Sequence, residues 1–182
     1  MQQIYLDNAA TTPVRPEVEE VMRPYFCEKY GNPSGIYKMA SECRQALETV
    51  RKQIGETLKV SAEEIYFTSG GTESDNWAIK STAQRLKEKG KHIITSKIEH
   101  HAVLNSCAYL ETQGFEVTYL DVDEWGCVRF DALQRAIRKD TILISIMYAN
   151  NEVGTIQPIG QIGKIAKEND IFFHTDAVQA YG

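Results

Sequence analysis

The feature that most limits how this chain can fold is a regular exchange of two periodicities beyond residue 70. Segments with apolar residues three and four apart alternate with short runs of β-branched and aromatic residues, and glycines or polar turns divide them. The spacing predicts helices over 73–89, 101–112, 131–139 and 160–169, and strands over 92–96, 115–120, 142–147 and 171–175. Strict alternation implies crossover connections, which lay strands down parallel and put helices on the faces of the sheet. The runs Ile142-Leu143-Ile144-Ser145-Ile146-Met147 and Ile171-Phe172-Phe173 are apolar on both faces, which suits strands covered on both sides. The expected fold class is α/β, with three layers, α/β/α, around a largely parallel sheet.

The N-terminal third is less regular. Residues 1–14 read as a loop-rich arm. Pro16 then opens a helical segment with Val18, Val21, Met22 and Tyr25 on one side, and Tyr30-Gly31-Asn32-Pro33-Ser34-Gly35 ends it. Ser41 is placed to cap an amphipathic helix carrying Leu47, Val50, Ile54 and Leu58. Ser61-Ala62-Glu63-Glu64 has capping-box spacing and leads into Ile65-Tyr66-Phe67, which reads as a short strand. At 182 residues and 42% hydrophobic content the chain is long enough for one substantial core, and length alone suggests a single domain.

Charge and cysteine usage narrow the partners. A formal net charge of −5 gives no basic footprint for a phosphate backbone, so no nucleic acid is expected. No segment approaches the roughly 18 apolar residues of a membrane span, and the N-terminus lacks the features of a signal peptide. No membrane association is expected, and the chain is placed in the cytoplasm. Cys27, Cys43, Cys107 and Cys127 form no CxxC pair or Cys/His cluster, so no metal site is expected and the thiols read as packed, reduced side chains.

Four segments at strand ends carry chemistry. Thr68-Ser69-Gly70-Gly71-Thr72-Glu73-Ser74 opens a helix, where small residues, free N–H groups and hydroxyls suit a phosphate; an ordinary strand-to-helix turn is the other reading. Ser96-Lys97-Ile98-Glu99-His100-His101 follows a strand. Its adjacent histidines diverge on any regular element, so they make no metal pair, but one could stack on an aromatic cofactor or simply be a surface or packed histidine. Tyr148-Ala149-Asn150-Asn151-Glu152-Val153-Gly154 and His174-Thr175-Asp176-Ala177-Val178-Gln179 follow two further strands, and ligands of open α/β sheets bind at such carboxyl ends. Asp176 is a carboxylate at the rim of an apolar interior, and it needs a cationic or hydrogen-bonding partner. A protonated pyridine nitrogen would serve; a solvated or salt-bridged strand-end aspartate would not need one.

These segments, together with Tyr5-Leu6-Asp7-Asn8-Ala9-Ala10-Thr11-Thr12-Pro13 and Gly31-Asn32-Pro33-Ser34, resemble in order the motifs of cysteine desulfurases, which are class V aminotransferase-fold enzymes using pyridoxal 5'-phosphate (PLP). Glu99-His100-His101-Ala102-Val103-Leu104 resembles the subgroup serving iron–sulfur cluster assembly. The resemblance implies an incomplete large domain of PLP fold type I over 15–182, with 1–14 belonging to the small-domain side. It implies that Gly71 and Thr72 bind the cofactor phosphate, that His100 stacks on the pyridine ring and that Asp176 pairs with the ring nitrogen. Asn151 would lie near the phenolic oxygen and the substrate carboxylate, and Gln179 would hydrogen-bond that oxygen. The catalytic candidates are His100 and Asp176.

The reaction implied is conversion of L-cysteine to L-alanine, with sulfur kept as an enzyme persulfide and passed to an acceptor or scaffold protein by a homodimer. The family's Schiff-base lysine and nucleophilic cysteine belong to segments beyond the aspartate, whereas Gly182 is the last residue here. The chain alone is therefore expected to be inactive, and a complementary C-terminal chain is a candidate partner. A selenocysteine lyase, a cysteine sulfinate desulfinase and a non-catalytic half-protein are the alternatives.

Overall fold

The computed structural model describes residues 4–181, so the first three residues of the expected N-terminal arm lie outside it. The chain divides into two compact units, one ending at Phe67 and one beginning at Thr68.

The first unit is helical. Pro16 occupies the first turn of α1 (Pro16–Met22), where its missing N–H costs nothing, but Pro24 splits the expected continuous helix and starts the short α2 (Pro24–Cys27). The long helix α3 (Lys38–Leu58) begins at Tyr37, one turn before the expected cap, so Ser41 lies within it and donates its N–H to Tyr37 O at 3.1 Å. It ends where Lys59 turns left-handed at φ 58°, and Val60 N–H then closes on Gly55 O. The capping box at Ser61 forms around a single 3-10 turn, Ala62–Glu64, with Ser61 N–H donating to Glu64 Oε2 at 2.8 Å. Ile65–Phe67 is extended but is not a strand. A strand requires a paired neighbour, and every strand of the described sheet begins at or after His92.

The second unit contains the sheet. Strands β1 (His92–Ser96), β2 (Glu116–Leu120), β3 (Thr141–Ser145) and β4 (Phe172–His174) are all parallel, in the order β2-β1-β3-β4. They alternate with α4 (Gly71–Leu86), α5 (His101–Thr112), α6 (Phe130–Ala136) and α7 (Ile159–Glu168). Neighbouring residues of a strand face opposite sides, and the core divides accordingly. Ile93 and Leu143 pack with Ile79 and Ala83 of α4 and with Val103, Cys107 and Leu110 of α5. Ile94 and Ile144 pack with Leu133 of α6 and with Ile162 and Ala166 of α7. The result is the expected α/β/α stack.

β1 and β3 are buried at every position. Among the described residues β4 pairs only with β3, and Phe172, expected to be covered, is exposed. Close approach fixes the α4–β1 turn: a Cβ on Gly90 would lie 2.2 Å from Asp140 O.

Strand order decides where a ligand could sit. From the carboxyl end of β1 the chain runs outward to β2, and from the carboxyl end of the adjacent β3 it runs the other way to β4, so these two connections diverge between β1 and β3. That divergence opens the crevice in which doubly wound sheets hold ligands.

Candidate functional site

Three loops and one helix end share the carboxyl edge of the sheet. After β1 the chain turns through Lys97–Glu99 into α5, and His100 is the N-cap of that helix, exposed. Its Nδ1 accepts the Ala102 N–H at 3.1 Å, so the neutral ring carries its proton on Nε2. The His100 and His101 rings are 6.3 Å apart and tilted by 55°, as expected for side chains that diverge. After β3, Asn150 is buried and donates Nδ2 to Ile98 O at 2.9 Å, while its Oδ1 accepts the N–H groups of Glu152 and Val153. Asn151 is half-buried and donates to Glu152 Oε1 at 3.0 Å. After β4, Asp176 is buried; its Oδ1 accepts the Val178 N–H at 2.9 Å and its carbonyl accepts the Tyr148 N–H at 2.8 Å. Gln179 lies in the following turn and is exposed.

The N-terminus of α4 meets the β4 loop: a Cβ on Gly71 would come within 2.7 Å of Val178 Cγ2. A side chain at 71 would therefore press the turn away from the Asp176 loop. Gly70, the N-cap, offers no side chain to the first N–H groups of α4. Those groups and the helix dipole favour an anion there. Thr72 is exposed in the first turn. Ser69, by contrast, is engaged: both its N–H and its hydroxyl donate to Glu73 Oε2 at 2.7 Å, which holds the Glu73 carboxyl below its usual range. Thr68 Oγ1 donates to Gly70 O at 3.1 Å and lies 2.7 Å from Ser74 Oγ. The cradle is thus braced by its own polar residues.

Beneath this edge lies a buried acidic cluster that the sequence reading did not single out. Asp75 of α4 lies 3.5 Å from His174 Nε2, and His174 Nδ1 hydrogen-bonds with Ser145 Oγ at 2.9 Å. Glu99 Oε1 accepts from Ser96 Oγ at 2.5 Å and from Met147 N–H at 3.1 Å, so it ties the exit of β1 to the exit of β3. Burial, and then the charges of Asp176 and Asp75, push the Glu99 carboxyl up to about 7 against the pull of its two hydrogen bonds. Asp75 Oδ2, Glu99 Oε2 and Thr175 Oγ1 are buried without a hydrogen-bond partner among the described residues. A signal for Asp75 was available: with Ile79 and Ala83 it completes one stripe of α4, so an acid stands where the helix faces the core. The signal for Asn150 was weaker, because two adjacent asparagines do not reveal which faces inward.

The structure therefore gathers the loops bearing His100, Asn151, Asp176 and Gln179 at one sheet edge and joins Gly71 directly to the Asp176 loop. The same likeness holds against known proteins. "Cysteine desulfurase IscS" of Methanosarcina thermophila is 64% identical over 179 residues, which cover 98% of this chain and 44% of that protein. The protein of the same name from Dictyoglomus turgidum is 60% identical over 181 residues, covering the whole of this chain and 46% of that one. A solved structure named "NIFS-LIKE PROTEIN" superposes with a TM-score of 0.95 at 43% identity, over 98% of this chain and 50% of the other. The chain thus spans less than half the length of these two sequence relatives. Residues 4–182 match the family Aminotransferase class-V, and this chain belongs to that family.

Proposed function

We propose that this chain provides the cofactor-holding part of a PLP-dependent cysteine desulfurase. The observation that carries the proposal is the meeting of a buried strand-end carboxylate, Asp176, with the uncapped N-terminus of α4 through the Gly71–Val178 contact. One end of that arrangement suits a phosphate and the other a cationic ring nitrogen, which are the two polar ends of PLP. Fit is supported by Gly71, whose missing side chain lets the N-terminus of α4 approach the Asp176 loop, and by Asp176, which brings a buried carboxyl group to the rim. Gly71 and Thr72 would hold the phosphate, Asp176 the ring nitrogen and His100 the ring face, with Asn151 and Gln179 near the phenolic oxygen. When bound, PLP supplies an electron sink for charge released at the substrate α-carbon.

The residues of the chain have narrower tasks. α4 fixes the phosphate end by backbone donors. Asp176, a buried carboxyl group, favours a protonated ring nitrogen. His100 presents a ring whose proton is fixed on Nε2 by the Ala102 N–H. The reacting lysine and the sulfur-accepting cysteine are assigned to polypeptide outside the aligned half of the relatives, in the same or a complementary chain. L-cysteine is the proposed substrate, a second copy and a sulfur-acceptor protein the proposed partners, residues 1–14 the proposed contribution to the small-domain side, and the cytoplasm the proposed compartment. The names of the two sequence relatives support the substrate class.

The test is titration with PLP. Loss of one hydroxyl-to-anion hydrogen bond costs about 1.5–3 kcal/mol. Thr72→Ala should therefore weaken binding roughly ten- to a hundred-fold. Unchanged titration by Thr72→Ala and by Asp176→Ala would overturn the assignment.

A further inference from the structure

The carboxyl edge of the sheet buries more acid than the task of Asp176 requires. Asp75, Glu99 and Asp176 are all buried, from α4, from the β1 exit and from the β4 exit. Their surroundings differ. Asp75 has His174 at 3.5 Å, and Asp176 has the Val178 N–H. Glu99 has two donors on Oε1 and, among the described residues, none on Oε2. The ionisable groups that bear on it are Asp75 from α4, Cys107 from α5 and Asp176 after β4, while His174 of β4 lies against Asp75; none contributes a cation to Glu99. A buried carboxyl so placed is cheaper to keep neutral than charged.

Its position gives that charge state leverage. Glu99 immediately precedes His100, and through the Met147 N–H it touches the β3 exit, where the next residue, Tyr148, donates to Asp176 O. One carboxyl therefore spans the point where the β1 and β3 connections diverge.

We propose that Glu99 is a positioning residue of this site, holding its proton more tightly while Asp176 is uncompensated and yielding it more readily to solvent when a cationic ring pairs with Asp176. This rests on the assignment of Asp176 to a ring nitrogen. Burial is the largest cause of the raised Glu99 value, and Asp176 precedes Asp75 among the charges that add to it. Compensating Asp176 removes the first of those charges. The released carboxylate then accepts from Ser96 and Met147 as an anion, and charge-assisted hydrogen bonds are shorter and stronger. The β1 and β3 exits, and with them the backbone carrying His100, are held more tightly with ligand than without.

The experiment uses the full chain and pyridoxine 5'-phosphate, which has the ring and the phosphate but no aldehyde to react with amines. Calorimetric titration at pH 7 in two phosphate-free buffers of different ionisation enthalpy gives the protons exchanged per ligand. With a midpoint of about 7, Glu99 can give up at most about half a proton at that pH. The parent should release several tenths of a proton more than Glu99→Gln. Equal proton exchange in the two would overturn the proposal. Should Glu99→Gln not fold, the parent alone decides by 13C-NMR of the Glu99 carboxyl: a midpoint near the ordinary 4.5, or one near 7 that the ligand leaves in place, defeats it. Failure of the underlying assignment looks different, because Asp176→Ala would then bind pyridoxine 5'-phosphate as well as the parent does.

Discussion

The two units bury apolar surface in different ways. In the second, a sheet gives every central residue a side to face, and Ile93 and Ile94, adjacent in sequence, belong to separate cores under separate helix pairs. In the first, the described residues form helices and loops and no strand. Of its hydrophobic side chains only Ala40 and Cys43 are buried among the described residues, while Val21, Phe26, Tyr30 and Phe67 stand exposed. A hollow of about 930 Å3, lined by Val21, Met22, Tyr25, Leu47 and Phe67 among others, remains between its helices. An amphipathic helix therefore does not make a core by itself; it needs an apolar surface opposite.

The sharpest way to break this contrast is a pair of truncations. Ile144→Ala, in the middle of β3, should cost about 4 kcal/mol in urea denaturation, whereas Leu47→Ala on half-covered α3 should cost about 1 kcal/mol or less. Comparable losses would mean that the first unit is as well packed as the second. Next in size is a pH effect confined to the second unit. The Glu99 carboxyl is raised in the folded state from 4.5 to about 7, so the native state holds this proton more tightly than the unfolded chain. The stability it contributes is full below pH 4.5 and is lost as pH rises to about 7, by up to roughly 3 kcal/mol. Glu99→Gln should flatten that part of the stability profile; an unchanged slope would place the titration elsewhere.

Smaller still is the capping box of the first unit. Ser61→Ala should destabilise by about 0.5–1 kcal/mol and speed amide exchange at 63–65 without affecting β1. Least of all, Lys89→Met, which breaks the Lys89–Asp170 pair on the exposed surface of the second unit, should leave the denaturation midpoint within error. A measurable shift would show that the surface of that unit shares in its stability.

The same contrast explains what could be read from the sequence. Alternation from Gly71 onward predicted each of the four strands to within two residues, because strands covered on both faces leave an apolar run that polar helix faces and glycines interrupt. The Ile65-Tyr66-Phe67 run is just as apolar, yet it pairs with nothing, since pairing is a property of the neighbour and not of the run. Pro24 breaks the first helix through an N–H it lacks, a local rule that the apolar stripe from Val18 to Tyr25 concealed. At the site, the loops carrying His100, Asn151 and Asp176 were legible because they follow strands. The inward place of Asp75 could be read from its stripe with Ile79 and Ala83, but its meeting with His174 and the tie of Glu99 to Met147 could not, since both depend on how α4 and three strand ends converge in space.

The order of the strands also has a consequence for how the polypeptide is made. β1 emerges first and ends in the centre, β2 adds to one flank, and β3 and then β4 extend the other. No strand must be inserted between two already paired, so during synthesis each newcomer finds an open template already in place. The sheet can accrete outward, and β4, which emerges after the other three described strands, brings Asp176 to a rim whose other described loops have already been laid down.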